Sequence, residues 1–152
     1  MALLLGPGML WADDFDAGYE ATEAGDYETA YEIWLPLAEL GDYAAQSNLG
    51  LMYSHGLGVS QDYAEAVRWY RLAAEQGNAD AQYNLGLMYA YSKGVIQEYS
   101  TAHMWFNIAA RNGDSDAVNN RDLIADLMTP EAIAAAQSRA RICIESGYQD
   151  CD

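Results

Sequence analysis

The chain repeats itself every 36 residues, and that periodicity limits its fold more than any other feature. Ala45-Gln46-Ser47-Asn48-Leu49-Gly50-Leu51-Met52-Tyr53 recurs as Ala81-Gln82-Tyr83-Asn84-Leu85-Gly86-Leu87-Met88-Tyr89, an offset of 36. The same offset links Tyr27, Tyr63 and Tyr99; Ala30, Ala66 and Ala102; Trp34, Tyr70 and Phe106; Ala38, Ala74 and Ala110; Gly41, Gly77 and Gly113. Self-similarity at this spacing marks a stack of supersecondary units, each covering the apolar face that its neighbour exposes.

Each unit reads as two helices. Ala45, Leu49 and Tyr53 share a face at helical spacing, with Met52 beside them. The loop His55-Gly56-Leu57-Gly58-Val59 follows, and then a second helix opened by Asp62, with Glu65 three residues on as in a capping box. Ala66, Trp69, Tyr70 and Ala73 keep the 3.6-residue period to Gly77, whose position suits a left-handed C-cap. Gly50 and Gly86 fall in mid-helix, where glycine costs about 1 kcal/mol against alanine. Paying that cost twice implies a close approach between helices. Ala66 and Ala102 are the expected small partners, with Trp69, Tyr70, Trp105 and Phe106 as core between units.

The pattern A-Q-x-N-L-G-x-M-Y, a Gly-rich loop, and D-Y-x-x-A-x-x-W-Y-x-x-A-A-x-x-G resembles the Sel-1-like (SLR) repeat, the longer-loop relative of the tetratricopeptide repeat. The resemblance is close over residues 44–117. Upstream, Asp13 to Glu23 stands where a first helix belongs but lacks the L-G-x-x-Y core. Downstream, Asn120 persists while Arg121 stands where Leu85 stood. The resemblance implies an all-α fold, a right-handed α/α solenoid of antiparallel helix pairs. The expected units are about 13–41, 44–77, 80–113 and a degenerate 116–128, all within one domain, 13–152. A capping helix over 130–146 closes it, with Thr129 as N-cap and Pro130 at N1.

Seven Lys and Arg against 23 Asp and Glu leave a formal charge of −16. A phosphate backbone or an anionic membrane surface is repelled by such a chain, so neither nucleic acid nor a membrane surface is an expected partner. The apolar start, Met1 to Ala12, is too short to span a bilayer but suits the core of a secretory signal. Against that, no Lys or Arg precedes it, and Leu10 is bulky near the expected cleavage point. The expectation is a periplasmic or otherwise exported protein, with an apolar tail on a cytoplasmic one as the alternative. Cys143 and Cys151 are expected to pair, as an oxidising compartment allows. The alternative is a buried Cys143 beside a free Cys151.

Motifs for catalysis are missing: no H-E-x-x-H, G-x-S-x-G, P-loop or Ser-x-x-Lys occurs. A cysteine-rich branch of the resembled family is linked to β-lactam binding, but its members staple each repeat with a cysteine pair, which these repeats lack. Asp13, Asp14 and Asp16 do not have the spacing of a calcium loop and are expected to complement the positive end of the first helix. No catalytic residue, cofactor or metal site is expected.

In stacked helical pairs the first helices line the concave side. Ser47, Leu51, Ser54 and His55 form a non-core stripe there. Tyr83, Leu87, Ala90 and Tyr91 continue it, and Phe15 and Tyr19 are in register in the first helix. The expected role is non-enzymatic: an interaction module whose acidic groove takes a protein or peptide partner, with a basic segment as the complement to its charge. A constitutive accessory subunit, held through the apolar arm Met1–Trp11, is the alternative; a small-molecule binder or hydrolase is a weaker one.

Overall fold

A computed structural model describes residues 7–95 and 97–152, with side chains from Asp14 onward. Among the described residues eight helices run in order: α1 (Pro7–Glu23), α2 (Tyr27–Glu39), α3 (Tyr43–His55), α4 (Tyr63–Ala74), α5 (Ala79–Ala90), α6 (Tyr99–Arg111), α7 (Ser115–Ala125) and α8 (Pro130–Glu145). There is no strand among the described residues. Consecutive helices pack on each other from α1 to α7, while α8 lies back against α6. The architecture is an α/α solenoid.

Helix starts are fixed by short polar side chains. Asp26, Asp42, Asp62, Asn78, Asp114 and Thr129 each accept a backbone N–H from the first turn of the helix they precede, a contribution of about 1 kcal/mol apiece. Asp62 caps α4 as expected, but Glu65 does not complete a capping box. Its carboxylate is held by Arg68, 2.8 Å away, and the Asp62 N–H goes instead to the Tyr53 carbonyl. Gly41, Gly77 and Gly113 follow the ends of α2, α4 and α6 at φ of +100°, +90° and +104°, where a Cβ would be strained.

Gly50 and Gly86 are seats for aromatic rings. A Cβ on Gly50 would come within 2.5 Å of the Tyr70 ring, and one on Gly86 within 2.5 Å of the Phe106 ring. The expectation of complementary alanines needs correcting. Ala66 and Ala102 are fully buried, but the glycines receive the rings. The first unit holds the same device, which the 36-residue comparison hid. Gly18 lies against the Trp34 indole, four residues later than the repeat offset puts it. The α1–α2 connection, residues 24–26, is four residues shorter than the α3–α4 loop, residues 56–62. One helical turn moved along α1 therefore restores the glycine to the ring.

Neighbouring units are also tied by buried glutamines. Gln46 Nε2 donates to the Ala38 carbonyl at 3.1 Å, and Gln82 Nε2 to the Ala74 carbonyl at 3.0 Å. Their own oxygens accept from Gln76 and Asn112, both at 2.8 Å. These bonds explain the Gln of the A-Q motif: it satisfies the last carbonyls of the preceding helix in a place closed to water.

Two expectations about the first unit change. α1 begins at Pro7, so Asp13, Asp14 and Asp16 lie inside the helix rather than at its positive end, and its first turn holds no acidic residue. The second half of the apolar stretch 1–12 is thus helical backbone continuous with the first unit. Residues 1–6, and with them the question of a signal or tail, lie outside the described residues.

Cys143 and Cys151 are disulfide-bonded. Both are buried in one apolar cluster with Tyr70, Ala73, Ala74 and Trp105. The residues after α8 therefore cover the outer side of α4 and α6. Tyr148 bonds Asn112 at 2.9 Å, and Arg71 bonds Asp152 at 2.9 Å.

Reduction of the disulfide should cost about 2–3 kcal/mol by release of a short loop, which for a chain this size lowers the melting temperature by roughly 5–10 °C. Calorimetry with and without reductant checks this. Gly86→Ala should also lower the melting temperature, because overpacking against Phe106, about 1–3 kcal/mol, outweighs the gain in helix propensity of about 1 kcal/mol. An unchanged or higher value in the same calorimeter would contradict the ring-seat account.

Candidate functional site

The first helices α3 and α5 lie side by side, and the stripe they present forms two adjoining depressions. One, of about 260 Å3, is lined by Ser47, Asn48 and Leu51 from α3 and Asp80, Tyr83 and Asn84 from α5. The other, of about 270 Å3, is lined by His55, Gln61, Tyr63, Asn84, Leu87, Tyr91 and Lys93, among others. Asn84 is common to both. Six of the expected residues, Ser47, Leu51, His55, Tyr83, Leu87 and Tyr91, thus meet in one groove.

Phe15 and Tyr19 do not join it. They pack with Trp34 in an aromatic cluster, at ring separations of 5.9 and 5.3 Å, and Trp34 Nε1 donates to the Phe15 carbonyl at 3.2 Å. Ser54 is buried rather than a surface of the stripe; its hydroxyl bonds the Leu51 carbonyl and His55 Nδ1 at 2.9 and 2.8 Å. Ala90 is likewise buried.

Within the groove the two tyrosines differ. Tyr83 is half-buried, its ring 5.7 Å from that of Phe106 and its hydroxyl held by Asn120 Nδ2 at 3.0 Å. Tyr91, at the end of α5, is 63% exposed, and Leu51 is 42% exposed. These two offer apolar area without being needed by the core. The expected acidity is sparse in the lining itself. Asp80 is the one carboxylate, and Lys93 stands at the opposite end.

Asn48 and Asn84 stand in the repeated motif and were not expected in the site, and Gln61 and Lys93 carried no sequence expectation. Asn48 and Asn84 recur 36 residues apart, so their place on the first helix was the available signal. Asn84 Nδ2 is bonded to the Asp80 carbonyl, whereas Asn48 Nδ2 is buried without a partner.

Two phenols of α3 and α4 are shifted. Burial pushes Tyr70 up to about 12, against the hydrogen bond from Ser54 that favours its ionised form. Burial, then the hydrogen bond with Tyr31, pushes Tyr53 up to about 12. No helix among the described residues is long and apolar enough to cross a membrane.

The class is plain: stacked helical pairs in which the first helices α1, α3 and α5 each seat an aromatic ring of the second. A family model for the Sel1 repeat matches residues 44–78 and 79–114. A protective antigen present in uropathogenic Escherichia coli strains, whose crystal structure displays an SLR fold, is similar at a TM-score of 0.85 and 29% identity, over 91% of this chain and 31% of the antigen. A Sel1 repeat protein from Oxalobacter formigenes is similar at a TM-score of 0.72 and 35% identity, over 81% of this chain and 53% of that one. This chain spans less than two thirds of either. No curated protein matches its sequence. The chain thus carries two Sel1 repeats, residues 44–78 and 79–114, and such repeats are in general protein-interaction modules.

In alkali the unfolded chain ionises its tyrosines near 10, below Tyr53 and Tyr70 in the folded state. Their contribution to stability is therefore complete below pH 10 and is lost as the pH rises toward 12. Melting curves between those values should fall, and folded-state tyrosinate absorbance should lag behind that of the unfolded chain.

Proposed function

We propose that the chain is a non-enzymatic adaptor whose groove along α3 and α5 holds a segment of a partner protein. The observation that carries this reading is the convergence of Ser47, Leu51, His55, Tyr83, Leu87 and Tyr91 on two depressions joined at Asn84. The Asn84 side-chain amide at the joint suits the backbone of an extended segment, and the exposed Tyr91 suits an apolar anchor on it. The lining is nearly neutral, so charge selects the partner from a distance rather than at contact. A net charge of −16 draws in a segment with basic residues, and the attraction weakens as salt rises.

Export to an oxidising compartment such as the periplasm fits the disulfide between Cys143 and Cys151. The constitutive-subunit reading rests on the apolar arm, whose first residues lie outside the described part, and no observation favours it over the groove.

A random peptide library tests the groove without knowledge of the partner. Selected peptides should lose affinity at least about tenfold on Tyr91→Ala, the scale of an interface anchor, with the melting temperature unchanged. Tyr83→Ala is a poorer test, because it also removes packing on Phe106. Peptides that bind Tyr91→Ala and Leu51→Asp as tightly as the parent chain would exclude the groove.

A further inference from the structure

Charge is unevenly spread along the chain. Residues 1–67 carry 12 Asp and Glu and no Lys or Arg, while four of the seven cations, Arg111, Arg121, Arg139 and Arg141, fall on α6 to α8. The structure gathers three of these four around one cleft. α7 and α8 each pack on α6 but not appreciably on each other, and the gap between them is a cleft of about 450 Å3. Arg111 and Asn107 lie on its floor, Arg121 on one wall, and Arg141 and Gln137 on the other, with Val118 and Ile144 as apolar lining. Among the described residues no carboxylate lines it.

The cleft exists because the fourth unit departs from the repeat at three places. Val118 replaces the buried glutamine, Arg121 replaces the buried leucine, and Asp122 replaces the ring-seat glycine. A following helix has no seat on α7, so α8 docks elsewhere and leaves the space open. Arg121 is fixed within it: its guanidinium bonds Asp122 at 2.9 Å and reaches Asn107 Oδ1 at 3.4 Å. Arg111 and Arg141 are exposed. One turn before Asn107 on the same face of α6, His103 is buried with Nδ1 unpartnered. Burial, and then Arg121, hold it below the usual histidine range. Asp122 answers Arg121, but Arg111 and Arg141 meet no carboxylate in the lining, so the cleft itself keeps an excess of positive charge.

We infer that this cleft is a second binding site, separate from the groove, for a short carboxylate-rich segment of a partner protein. Guanidinium forks match carboxylates in a bidentate manner, Asn107 and Gln137 offer amides to a peptide backbone, and Val118 and Ile144 take its methylene groups. A long polyanion such as nucleic acid would extend past the cleft onto the acidic remainder. A segment of a few residues would not, since charges beyond about 8 Å are screened at physiological ionic strength.

The test uses a fluorescent, end-blocked hexaglutamate peptide on the whole chain at about 0.15 M salt, with hexaglutamine as control. Saturable binding of hexaglutamate alone is expected, with NMR shifts at the side-chain amides of Asn107 and Gln137. Arg111→Gln combined with Arg141→Gln should weaken it by about tenfold or more, the loss of a charge-assisted pair. Both residues are exposed, so melting should be unchanged, and Tyr91→Ala should leave this binding intact, which separates the cleft from the groove. The inference is overturned if the double variant binds equally well, or if inorganic phosphate binds tighter than the peptide. A dimer in sedimentation that the double substitution dissociates would also overturn it, since a second copy would then fill the cleft.

Discussion

The rest of the molecule depends on the contact between a first-helix glycine and an aromatic ring of the second helix. Gly18 with Trp34, Gly50 with Tyr70 and Gly86 with Phe106 set how closely the two helices of each unit approach. A mid-helix glycine is unfavourable taken alone, and only the burial of a large ring against it makes the choice stable. Helix separation then dictates how units stack, where the buried glutamines meet the carbonyls of the preceding helix, and which residues remain for the groove.

Where that contact is missing, the array changes character. Asp122 occupies the glycine position in α7, and Arg121 the core position before it. α8 therefore turns back along α6 instead of pairing with α7. The departures from the repeat in α7 thus produce the end of the stack, the covering of its outer side and the basic cleft. Two surfaces of different electrostatic character result, the nearly neutral groove on α3 and α5 and the cationic cleft between α7 and α8.

Most of the fold was legible because a repeat states its core several times. Ala45 and Leu49 were read correctly from helical period, and the N-caps Asp62 and Thr129 from the polar residues that open their helices. The ring seat of the first unit was not, because a shorter loop shifted Gly18 out of the 36-residue register while preserving its place in space. Helical spacing put Ser47, Leu51, His55, Tyr83, Leu87 and Tyr91 on the non-core face of the first helices, where they line the two depressions. Phe15 and Tyr19 were misplaced by the same reasoning, since the first unit uses them to cover Trp34. The cleft was invisible to pattern: its arginines come from three helices, and Arg121 looked only like a flaw in the repeat.

The disulfide-held C-terminus alters how such a stack comes apart. A solenoid with contacts between neighbours alone unzips from its ends, each unit responding to the next. Here Cys143 and Cys151 share a cluster with Tyr70 and Trp105, and Tyr148 lies against Gly77. α8 and the tail thus form a cross-brace over two successive units. The last helices cannot peel away one at a time without breaking into the middle of the array. A pull on the C-terminus therefore bears on the second and third units together.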